Sequence, residues 1–102
     1  MQIFTTLAGL NFRPASAKAA VDDLEIGQEM ILEREPENPY DSNAVRVIDP
    51  GSEEFIGFIP KTDNAEIAQA LDDGVPVTCT IVGWAATRKP SFKVIIDNGS
   101  DD

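Results

Sequence analysis

Asn38-Pro39-Tyr40-Asp41-Ser42-Asn43 is the densest chemical signal in the chain. It sets a ring that can stack beside an anion that accepts hydrogen bonds, and brackets both with residues that stiffen the backbone. Pro39 fixes its own φ and pushes Asn38 toward extended backbone. Asp41, Ser42 and Asn43 can turn the chain by bonding their side chains to nearby amides. Residue type leaves two readings open. In one, Tyr40 and Asp41 recognise a ligand. In the other, the tyrosine lies on a barrel wall and the aspartate closes its own turn.

The rest of the chain excludes most catalytic chemistry. It has no histidine and a single cysteine, Cys79. The commonest general base and commonest metal ligand are therefore missing. Zinc sites and Ser-His or Cys-His catalysis are not expected. One cysteine forms no disulfide within the chain; this fits a reducing cytoplasm, and Cys79 reads as a small buried hydrophobe. Glu33, Glu35 and Glu37 share a strand face with one another. With Asp41 nearby they invite a Mg²⁺ or Ca²⁺ reading, but no tight loop converges them, and a solvated acidic edge is the plainer account. No cofactor or metal is expected. Without a Walker motif or a nucleophile–base pair, a small hydrolase ranks last among the functions considered.

Net charge is -10 and the pI is near 4.2. That balance opposes non-specific nucleic-acid binding, which draws its strength from Lys and Arg on phosphates, and opposes docking on anionic membranes. The start, Met1-Gln2-Ile3-Phe4, has no basic run or apolar signal core, and no segment is long enough to span a bilayer. One stretch departs from the acidic average. From Gly74 to Ile96 there is no acid, while Arg88, Lys89 and Lys93 are basic. Arg13 and Lys61 flank other motif segments, so a local basic rim is an expectation to carry to the structure.

The elements that position these residues follow from pattern. Alternation and β-formers predict strands over residues 3–10, 28–35, 44–49, 54–60, 77–84 and 92–97. In the second, Met30 and Leu32 face one way and Glu29, Ile31 and Glu33 the other. Asp49-Pro50-Gly51-Ser52 carries the type II turn signature, and Gly57 mid-strand predicts a bulge or a close backbone approach. Helices are expected over 14–21, begun by Pro14, and 63–73, where Asp63 and Glu66 resemble a capping box. Trp84, at a strand end, reads as a barrel plug ahead of a surface stacking platform, Phe58 and Phe92 as core rings by their apolar neighbours, and Phe12 as a ring in a loop-like stretch. Short strands at hairpin spacing, with no βαβ rhythm, predict a mainly β fold: a small OB-like antiparallel barrel of about six strands with two short helices. Residues 1–97 form one domain and 98–102 a flexible tail.

The chain resembles the HIRAN domain family. The likeness rests on Ala8-Gly9-Leu10-Asn11-Phe12, on Arg34-Glu35-Pro36-x-Asn38-Pro39-Tyr40-Asp41-x-Asn43-Ala44-Val45-x-Val47, on Ile56-Gly57-Phe58-Ile59-Pro60, and on Asn64-Ala65-x-Ile67-Ala68. It implies an OB-like barrel that holds the 3′ end of single-stranded DNA. Tyr40 and Phe12 would then stack on the last bases, and Asp41 would accept a hydrogen bond from the terminal 3′-hydroxyl. Phe58 and Phe92 stand where the family has further ring-bearing contacts. Relatives carry a basic residue in place of Asn11 and a histidine in place of Phe58. Arg13, Lys61 and Arg88 complete the expected contact set. A carboxylate welcomes a hydroxyl donor and repels phosphate, so such a pocket would distinguish an unmodified end from a phosphorylated one. The function this implies is a non-catalytic module in DNA repair or processing, acting beside a nuclease or helicase. The alternative is an acidic protein–protein adaptor with the same barrel and no DNA affinity, one form of which occupies a basic nucleic-acid site on its partner. Oligomeric state is not legible.

Overall fold

The computed structural model describes residues 1–85 and 91–99, with the side chains of Asn11, Trp84, Ala85 and Ser91 outside that description. Six strands, β1 (Gln2–Thr6), β2 (Glu29–Arg34), β3 (Val45–Ile48), β4 (Phe55–Phe58), β5 (Thr78–Ala85) and β6 (Ser91–Asp97), form one antiparallel sheet. Its order is β1-β6-β5-β2-β3-β4. The sheet curls until its two margins meet just beyond β1. There Ala8 and Phe58 exchange hydrogen bonds of 2.8 and 2.9 Å. Two helices, α1 (Ala15–Val21) and α2 (Asn64–Asp72), pack on the curled sheet. The expected mainly β, partly closed barrel is found.

Alternation builds the core. Val45 and Val47 on β3, Cys79 and Ile81 on β5, and Val94 and Ile96 on β6 are fully buried, together with Ile56 and Ile67. β-branched side chains suit a pleated, half-buried surface. Glu29, Ile31 and Glu33 face outward on β2 as their spacing predicts, with Met30 buried between them. Ala17 and Ala20 are the buried residues of α1, and Asn64, Ile67 and Ala68 those of α2. Among the described residues no helix is long and apolar enough to cross a membrane.

Three local expectations are corrected. The first strand stops at Thr6. Gly9 adopts φ 77°, which an L side chain disfavours, and a 3-10 turn, Leu10–Phe12, follows. The turn after β3 is not type II, because Gly51 is not left-handed; Glu53 is instead, at φ 63°. Its amide bonds the Asp49 carbonyl at 2.7 Å. The reason is the buried Asp49 carboxylate, which accepts from Gly51 N–H, the Ser52 hydroxyl and Gln28 Nε2. A wider loop supplies the donors that a buried anion requires. Finally, Asp63 forms no side-chain cap on α2. Its Oδ2 accepts the Thr5 hydroxyl at 2.6 Å and that of Thr62 at 3.2 Å, tying β1 to the start of the helix.

Gly57 meets both expectations placed on it. The register slips between Val47 and Ile48, so that Gly57 faces Val47 and Phe55 faces Ile48, leaving Ile56 as the extra residue. A Cβ on Gly57 would lie 2.7 Å from the Ala8 carbonyl oxygen. Only a glycine lets the margins of the sheet join here. Of the expected tail, residues 100–102 lie outside the described residues, and Gly99 donates its amide to Asp97 at 2.7 Å.

Candidate functional site

Residues 35–44 leave β2 and return as β3 through a corner held at its neck and across its span. Glu35 N–H bonds the Ala44 carbonyl at 3.0 Å. Arg34, the last residue of β2, places Nη1 on the same carbonyl at 2.8 Å and Nη2 on that of Ser42 at 2.9 Å. Its Nε pairs with Asp72 of α2 at 3.0 Å. Asn38 Oδ1 accepts the amides of both Tyr40 and Asp41, at 2.9 and 3.1 Å. Asn38 is thus a turn former, as read from its type.

Asp41 closes its own turn and remains available for more. Oδ1 accepts the Asn43 amide at 2.9 Å, and Oδ2 accepts Asn64 Nδ2 at 2.7 Å. These two bonds hold the carboxyl below its ordinary value of 3.8; burial opposes them more weakly, and the charges of Lys61 and Arg34 each add a smaller effect in the same direction as the bonds. The group is an anion at neutral pH. A carboxylate offers about four lone-pair positions, so the two bonds leave acceptor capacity on each oxygen. Asn64 had no assigned role from sequence. It shares the buried face of α2 with Ile67 and Ala68 and is only 2% exposed. An amide on an apolar stripe must find a partner, and that was the available signal.

An open, mostly apolar groove of about 240 Å³ lies against the corner, lined by Ala8, Tyr40, Asp41, Phe58, Pro60 and Lys61 among others. A cavity of about 150 Å³ accepts a benzene ring, so one planar base fits. Tyr40 is 86% exposed at the lip. Phe58 is half-buried, and Lys61 Nζ donates to the Tyr40 carbonyl at 3.1 Å. Among the described residues no cluster of three metal-ligating side chains occurs. Glu33 and Glu35 instead pair with Arg46, at 3.0 and 3.2 Å.

The expected contact set divides. Tyr40, Asp41, Phe58 and Lys61 share the groove. Phe12 does not line it; the ring stands 91% exposed at the end of the 3-10 turn that follows Gly9. Phe92 is corrected as a contact. It alternates inward with Val94 and Ile96 on β6 and is 4% exposed, so its ring packs the core and cannot stack on a ligand. Arg13 does not line the groove either. Its Nε donates to the Phe55 carbonyl at 2.8 Å, and its guanidinium lies 3.8 Å from the Phe55 ring centroid. Arg46 stands 4.3 Å from the same centroid. Phe55 then meets Phe58 edge-on at 4.9 Å, so both arginines buttress the groove wall from behind. Arg88, Lys89 and the side chains of Asn11 and Trp84 lie outside the described residues.

The family model described as HIRAN domain matches residues 1–96. A Fanconi-associated nuclease 1 homolog of Arabidopsis thaliana is 43% identical over 53 residues, which are 52% of this chain and 6% of that protein. The chain thus matches only a small part of the curated relative's length. Among solved structures, a protein from Lactobacillus plantarum superposes with a TM-score of 0.79 at 20% identity, over 94% of this chain and 95% of that one. The HIRAN domain of human HLTF superposes with a TM-score of 0.72 at 18% identity, over 93% of this chain and 72% of that one. At these identities the superpositions establish the fold.

Proposed function

The chain belongs to the HIRAN domain family, and from that premise we infer that it is a non-catalytic module that binds the 3′-hydroxyl end of single-stranded DNA. The terminal base enters the groove against Phe58 and stacks under Tyr40. Its 3′-hydroxyl donates to Asp41, whose orientation is set by Asn64 and the Asn43 amide. Lys61 stands at the edge, where it meets the last phosphate. The observation that carries this reading is Asp41 itself: an ionised carboxylate, fixed at one bond per oxygen, at the side of a groove of one-base size. Such a group accepts from a hydroxyl and repels a phosphate in the same place. Stacking supplies about 1–3 kcal/mol per base without sequence preference. The chain resembles part of a nuclease over 53 residues, which supports a place beside a nuclease or helicase in DNA processing.

Fluorescence anisotropy at low salt tests it, with two labelled oligonucleotides differing only in a 3′-hydroxyl or 3′-phosphate. The hydroxyl form binds at least about tenfold tighter, and Asp41→Ala erases the difference. Equal binding of both forms by the wild-type chain overturns the role of Asp41.

The adaptor reading has one observation in its favour. Of the nine expected contacts, Phe92 is buried and Arg13 is engaged behind the wall, which leaves an acidic chain with few cations at the groove. If neither oligonucleotide binds, the exposed Tyr40 and Phe12 become anchors for a protein partner, and a pull-down comparing wild type with Tyr40→Ala identifies it.

A further inference from the structure

A second groove, of about 260 Å³, lies on the outer face of β1, β5 and β6, lined by Phe4, Thr5, Thr6, Val82, Lys93 and Val94. Phe4 is 70% exposed on a sheet face where it covers nothing. Thr6 and Lys93 are cross-strand partners in the register, so Lys93 stands over the groove from β6. Its ammonium has no ion pair or hydrogen bond among the described residues. An exposed ring beside a cation and the Thr6 hydroxyl suits a single-strand binding surface.

Charge favours the same occupant. All 18 acids lie between Asp22 and Asp73 or from Asp97 onward. β1, β5 and β6 therefore carry one acid, Asp97, which faces Gln2 at the opposite end of the ladder from Lys93. Asp63 approaches through Thr5, whose hydroxyl it already accepts. In a chain of net charge -10, a polyanion meets little repulsion on this face.

Residues only two apart along the chain line the two grooves. Phe4, Thr6 and Ala8 occupy alternate positions, with Leu7 buried between the last two, so they run outward in one row. Ala8 lines the first groove and Thr6 the second. Phe4 to Ala8 spans about 13 Å at the usual rise per residue, no more than about four nucleotides at the ~3.4 Å spacing of a stacked strand.

We propose that the Phe4–Lys93 groove binds the nucleotides just upstream of the 3′ end, on the same DNA strand, with a base on Phe4 and a phosphate on Lys93. This rests on the end-binding function above. The test compares a dinucleotide with a decanucleotide, both ending in a 3′-hydroxyl, by competition against a labelled strand. Phe4→Ala weakens the decanucleotide at least about fivefold and leaves the dinucleotide unchanged. Lys93→Gln lowers the slope of log affinity against log salt by about 0.7 for the decanucleotide. Both side chains are exposed, so neither variant threatens the fold. If both variants leave decanucleotide affinity and slope unchanged while Asp41→Ala abolishes binding, this groove is not a DNA site and the end-binding reading survives. If neither oligonucleotide binds the wild-type chain, the end-binding reading fails and this one with it. If Phe4→Ala converts a dimer to a monomer in sedimentation without changing DNA affinity, the face belongs to a second copy of the chain and the proposal is overturned.

Discussion

The two halves of the barrel treat charge in opposite ways. The half built from β2, β3 and β4 is crowded with acids, and its arginines are engaged in construction. Arg34 grips two corner carbonyls and Asp72; Arg46 pairs with Glu33 and Glu35 and leans on Phe55. The half built from β1, β6 and β5 is held by its strand ladders, with β6 paired along both sides. There Lys93 has no partner among the described residues. The net charge of -10 is thus an average over two unlike surfaces. Arginines in the acidic half act as struts, whereas Lys93 of the other half is available to a ligand. The corner groove opens at the seam between them, where Ala8 meets Phe58.

Breaking the seam should have the largest effect. Gly57→Ala sets a methyl group 2.7 Å from the Ala8 carbonyl oxygen and 3.2 Å from Leu10 Cδ1. Overpacking of this kind costs about 1–3 kcal/mol, and the backbone contact places this site at the upper end. A thermal melt should show Tm lower by roughly 10–20 °C, and an unchanged Tm would mean that the seam yields easily. Removing a strut should do less. Arg34→Ala loses two charge-assisted bonds to carbonyls and a pair with the exposed Asp72, for a loss of about 1–2 kcal/mol. Hydrogen exchange should rise in residues 35–44 and stay flat in β6, because the strut serves one half only.

Titration separates the halves by sign. Asp41 has a lowered folded-state pKa, so its contribution is present above about pH 4 and fades as pH falls through the folded value. Cys79, buried on β5, is pushed up to about 12 from 9.0 by burial. The unfolded thiol ionises above about pH 9 while the folded one does not. Its contribution is therefore complete below about pH 9 and declines between about 9 and 12, by up to about 1.4 kcal/mol per pH unit. Urea midpoints at pH 7, 9 and 10 should fall over the last step in wild type and fall less in Cys79→Ala. Equal declines would place the alkaline loss elsewhere.

Much of this was readable from residues alone, and the failures share a cause. The corner was legible because Asn38, Pro39 and Asp41 act on neighbours within three positions. The strands were legible because burial alternates, as at Met30 and Val47. The turn at Asp49 was misjudged because its carboxylate is buried, and its third donor, Gln28, comes from a distant part of the chain. Phe92 was placed at the site by family position and Arg13 at a rim because it flanks a motif segment, whereas strand parity and the Phe55 ring decide where each points. Asn64 was overlooked because its partner lies 23 residues away. Local chemistry is written in the sequence; which distant group answers it is decided by the closing of the sheet.

That closing also sets an order in time. β1 pairs with β6, and Gln2 lies opposite Asp97. A nascent chain therefore holds β1 without its neighbour until β6 has left the ribosome. Contacts so distant along the chain make for slow folding and a long-lived bare strand edge. The second groove needs Phe4 and Lys93 together, and the strand that closes the seam must also wait for β6 beside it. Ligand recognition should thus emerge only once β6 has been made, as a single late event.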